Sequence, residues 1–255
     1  VGFQQAAQTR EQIEGRFGEP GDFVPWPDGV VPAERIETFL TVRDDSMAAR
    51  TDLAAAVERL MDHARALDED GSGWNKFKSV FGVIGDSMGM AGEMGVFLTA
   101  RNDALFQHEM GHGEYFYLYA VGFYSYLGHR AGESSLESLG DVDVSTRGRS
   151  STNIQIDGGG HGANPFLQDQ LIEMLVNARK ASEEGTEWHA LLVAEIEALK
   201  SDRSRMPWGS ELPEATAASF EPYRDRLTGS WVGAADDFET MRVEDNGDFN
   251  FQSAP

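Results

Sequence analysis

The chain has 255 residues, with 43 Asp plus Glu against 21 Lys plus Arg and a formal charge of −22. That surplus excludes general nucleic-acid binding, which needs clustered Lys and Arg at the phosphates, and disfavours the anionic face of a membrane. The absence of cysteine excludes disulfides, thiolate zinc sites and a Cys nucleophile, while 40% hydrophobic residues supply a core that a disordered acidic tail lacks.

In chain order, residues 1–31 read as an N-terminal helix, Ala6 to Phe17, followed by a connector punctuated by Pro20, Pro25 and Pro27. Pro32 suits the first turn of a helix. Beyond it Ile36, Phe39, Leu40, Leu53, Val57, Leu60, Met61, Ala64 and Leu67 recur at three- and four-residue steps. That spacing predicts one or two amphipathic helices with a break near Asp44-Asp45-Ser46. From 74 to 100, Gly82, Gly85, Gly89, Gly92 and Gly95 interleave with Met88, Met90 and Met94. Small residues at this spacing allow a tight helix crossing at Gly85 and Gly89, or else a flexible segment.

Residues 101–129 read as one long buried helix. Leu105, His108, His112, Phe116, Tyr119, Phe123 and Leu127 fall on one stripe, and five of the six tyrosines lie between Tyr115 and Tyr126. A polar loop follows at about 131–163, rich in Ser, Gly and Asp. Helical patterns return at 165–181, 187–201 and 212–227, with Pro207 and Pro213 between them. In the tail, Asn246-Gly247 between short apolar runs predicts a small C-terminal β-hairpin. The expected fold is mainly α: a bundle-like helical domain over 32–229, preceded by the 1–31 segment and followed by a 230–255 tail.

Two motifs carry chemistry. His108-Glu109-Met110-Gly111-His112 has the pattern H-E-x-x-H. On a helix, histidines four apart share a face and can hold one Zn²⁺, with the glutamate as general base toward a metal-bound water. The pentapeptide resembles the active-site helix of the zincin metallopeptidases. That resemblance implies His108 and His112 as zinc ligands, Glu109 as the catalytic base, and a downstream carboxylate, Glu137 or Glu133, as third ligand. The metzincin-type continuation is absent, since Tyr115 and Leu118 stand where Gly and His would be. Without the metal, the same histidines are core-edge residues hydrogen-bonded to their neighbours.

Asp68-Glu69-Asp70-Gly71-Ser72-Gly73 resembles the opening of an EF-hand loop. The resemblance implies Asp68, Asp70 and Ser72 as Ca²⁺ ligands and Gly73 at the sharp turn. It departs at the twelfth position, where Ser79 replaces the bidentate Glu, and at the eighth, which is Asn75. The competing reading is an Asp- and Gly-rich connector between helices. The alternation Asp141-Val-Asp143-Val-Ser145 is similar but lacks the following Gly.

These features lead to an expectation of a non-enzymatic α-helical binding or accessory subunit whose partner is another protein. A zinc-dependent metallopeptidase is the first alternative and a calcium-stabilised helical module the second. The longest aromatic and apolar run, Tyr115 to Leu127, is shorter than the roughly 20 residues a membrane span needs. The chain opens at Val1 rather than Met, which fits removal of an upstream targeting segment and an extracytoplasmic location, or simply a boundary within a longer chain.

Overall fold

A computed structural model describes residues 2–66, 90–129, 141–146, 152–157, 165–202, 205–209 and 211–231. The described fold is mainly helical. Helix α1 (Gly2–Phe17) is followed by a single 3₁₀ turn at Pro20–Asp22. Then come α2 (Ala33–Asp45), α3 (Met47–Ala66), α4 (Met90–Gln107) and α5 (His112–Tyr119), which continues as a π-helical segment, Ala120–Tyr126. Strands β1 (Asp141–Thr146) and β2 (Thr152–Asp157) precede α6 (Pro165–Ala181), α7 (Glu187–Ser201), α8 (Glu214–Phe220) and α9 (Arg224–Gly229).

Helix α4 lies between α1 and α3 and also touches α2, and α6 packs on α7 and on the 3₁₀ turn. The core is built from the stripes that the spacing picks out. Ile36, Phe39 and Leu40 of α2, and Leu53 and Val57 of α3, are buried. So are Leu167, Leu171, Met174 and Leu175 of α6, and Trp188, Leu192, Ile196 and Leu199 of α7. Each set recurs at steps of three to four residues, so one face of each helix leaves water together. Burying such a side chain contributes about 1.5–3 kcal/mol before the entropy of ordering it is counted. Thr186 starts α7 by accepting the His189 N–H at 3.2 Å, which satisfies one of the donors a helix N-terminus leaves open.

The break between α2 and α3 falls where the acidic-serine step predicted it. Ser46 sits at the joint, buried, with its hydroxyl donating to the Val42 carbonyl at 3.0 Å.

Four expectations are revised or fall elsewhere. The long helix over 101–129 is two helices, interrupted at His108–Gly111. The loop at 131–163 is not structureless: β1 and β2 pair antiparallel, with Val142 opposite Ile156 and Val144 opposite Ile154. The hairpin expected around Asn246-Gly247 and the glycine crossing at Gly85 and Gly89 lie outside the described residues.

The core also holds charge. Arg43, Arg50 and Arg101 are buried. The Arg43 guanidinium lies 4.4 Å from the Phe123 ring centre and donates to the Ser230 carbonyl at 2.8 Å. Arg50 and Arg101 stand 5.9 and 5.7 Å from the Phe97 ring. Aromatic faces and carbonyls suit guanidinium, which is planar and weakly hydrated for a cation. Among the described residues no helix is long and apolar enough to cross a membrane.

Candidate functional site

The pentapeptide His108–His112 forms a corner between two helices. His108 N–H still bonds to the Ala104 carbonyl at 2.9 Å, the last α-type bond of α4. The Glu109 N–H then reaches back three residues to Phe106 and the Met110 N–H five residues to Leu105, at 3.4 and 3.0 Å. Glu109 has φ +54°. This is a Schellman ending, with Glu109 in the left-handed position usually held by glycine. Its accompanying apolar contact is met by type and burial: Leu105 and Met110 are both fully buried in one core cluster. Gly111, with φ −78° and ψ 160°, then caps the start of α5.

Close crossing explains why the chain turns here. A Cβ on Gly111 would lie 2.8 Å from Phe17 Cβ, and one on Gly113 would lie 2.2 Å from the Pro20 carbonyl oxygen. The segment joining α1 to the 3₁₀ turn therefore occupies the space that side chains at 111 and 113 would need. Met-Gly inside the motif, which the zincin resemblance treats as part of an active-site helix, here serves a backbone approach.

The side chains of the corner go to separate partners. His108 donates from Nε2 to Asp45 at the end of α2, at 2.6 Å and partly exposed. His112 is 3% exposed, and its Nε2 lies 3.0 Å from Asn102 Oδ1. The Asn102 amide nitrogen donates to the Ala6 carbonyl at 3.1 Å, which fixes the oxygen toward His112 and makes that ring nitrogen a donor. The His112 ring also lies 5.8 Å from Phe116.

Glu109 extends outward and pairs with Arg16 of α1. Its own carbonyl accepts from Arg35 Nη2 at 3.3 Å. Arg35 grips Glu114, in the first turn of α5, through Nε at 2.5 Å and Nη2 at 2.6 Å. The bond to Glu114 raises the Arg35 pKa further, so this fork stays charged. Helices α1, α2 and α4 thus each hold one part of the corner.

The helical register that would set His108 and His112 on one face is not formed. Among the described residues no three His, Asp or Glu side chains are grouped to hold a metal ion. Glu133 and Glu137, and the calcium candidates Asp68, Asp70 and Ser72, lie outside the described residues.

A second polar centre was not foreseen. Glu195 of α7 is 5% exposed, accepts the Trp208 N–H at 2.6 Å and pairs with Arg205 at 2.7 Å. Burial raises its pKa, opposed by the Trp208 N–H and by Arg205. Trp208 has φ +66°, a left-handed conformation that a bulky residue rarely adopts. Its ring lies 5.5 Å from that of Trp188. The same turn is tied by Gln168, which donates to the Arg205 carbonyl at 2.5 Å, and by the Ser125 hydroxyl, which donates to the Pro207 carbonyl. Burial also pushes the Tyr117 phenol well up. The sequence signal for this centre was a charged residue inside an apolar stripe, between Leu192 and Ile196.

Ser182 and His189 also meet, at 2.9 Å from Oγ to Nδ1. The serine hydroxyl also lies 2.8 Å from the Arg179 carbonyl, to which it can donate. The pair closes the corner between α6 and α7.

No protein-family model, curated protein or solved structure matches the chain.

Proposed function

We propose that the chain is a non-enzymatic helical binding or accessory module whose partner is another protein. One observation carries the proposal: the residues with catalytic spacing are each engaged at the joint between α4 and α5, with partners on α1, α2 and α4. His108 holds Asp45, His112 holds Asn102, and Glu109 ends α4 and pairs with Arg16. The acid-rich, cysteine-free composition supports a place outside the cytoplasm, which fractionation of the source cells would test. The zinc alternative requires the corner to rewind into helix and a third ligand, Glu133 or Glu137, to reach it.

The test is metal analysis of the purified protein together with its assembly state. The proposal expects no stoichiometric zinc, no peptide cleavage that depends on Glu109, and a defined complex with a partner by light scattering. About one zinc per chain, lost in His112→Ala, with cleavage abolished by Glu109→Gln, would overturn it in favour of the peptidase. A chain that stays monomeric and captures nothing from its own cell extract would count against the accessory role. A melting temperature raised by millimolar Ca²⁺ would instead favour the calcium-stabilised module.

A further inference from the structure

We draw no further inference here: the strongest candidate, the outer face of α7, where Leu191 and Val193 are each 38% exposed beside the exposed Ala194, is an apolar helix face, and nothing among the described residues shows what covers it.

Discussion

Replacing Glu109 by Gly and, separately, by Ala separates a helix corner from a continuous helix by the sign of one difference. Both changes remove the ion pair with Arg16, so that loss cancels in the comparison. The pair is exposed, 45% for Arg16 and 67% for Glu109, and contributes about 0–1 kcal/mol in either case. At φ +54° an L-residue with a Cβ costs about 1–2 kcal/mol that glycine does not. Glycine returns about 0.4–1 kcal/mol of this through the greater freedom of its unfolded chain. The Gly variant should therefore be the more stable by about 0.5–1 kcal/mol. In a helix interior the order reverses, because Gly there is about 1 kcal/mol worse than Ala. For a chain of this size 1 kcal/mol moves the melting temperature by about 2–4 °C, which calorimetry resolves. Urea denaturation gives the same difference independently, provided the slopes agree. A Glu109→Ala protein more stable than Glu109→Gly would refute the left-handed helix ending.

Other outcomes follow from the same contacts. His112→Ala should cost about 2 kcal/mol or more, since it empties a buried site and leaves Asn102 Oδ1 with one donor fewer. His108→Ala should cost about 0–1 kcal/mol, because its pair with Asp45 is partly solvated. Equal losses, both rescued by added zinc, would contradict the separate roles. Glu195 gives a pH dependence of defined sign. Its pKa is raised in the folded state, so its contribution is fully present below the ordinary value of 4.5 and is lost as pH rises through the folded value. In denaturation across that window, Glu195→Gln should gain on the wild type as pH increases. A stability difference that is flat with pH, or that moves toward the wild type, would exclude the assigned cause.

Most of the helical frame was legible because it is set by burial along one face. The stripes ending in Leu175 and Leu199 give α6 and α7 almost to the residue, and Asp44-Asp45-Ser46 marks the α2–α3 joint. The corner at 108–112 was not legible, for a physical reason. The apolar stripe runs through it without a change of period, because Leu105 and Phe116 are buried on both sides of the turn. The usual marker of a helix end, a glycine in the left-handed position, is replaced by Glu109. The reason for Gly111 and Gly113, the crossing of the Phe17–Phe23 segment, is a contact about 90 residues away in sequence. The period of two in Asp141–Ser145 and Asn153–Asp157 was readable in the letters, yet a long Ser- and Gly-rich surrounding hid the pairing of β1 with β2. The buried arginines were not foreseen, since arginine is seldom fully buried without partners.

The most direct test of the corner is the stability of Gly113→Ala. A Cβ at that position would meet the Pro20 carbonyl at 2.2 Å and Phe23 Cβ at 2.7 Å, both fixed by backbone. Overpacking of this kind costs about 1–3 kcal/mol, so the variant should melt several degrees below the wild type. A Gly113→Ala protein that is as stable as the wild type, or more stable by the roughly 1 kcal/mol expected for Gly→Ala in an unobstructed helix, would contradict the crossing on which the corner depends.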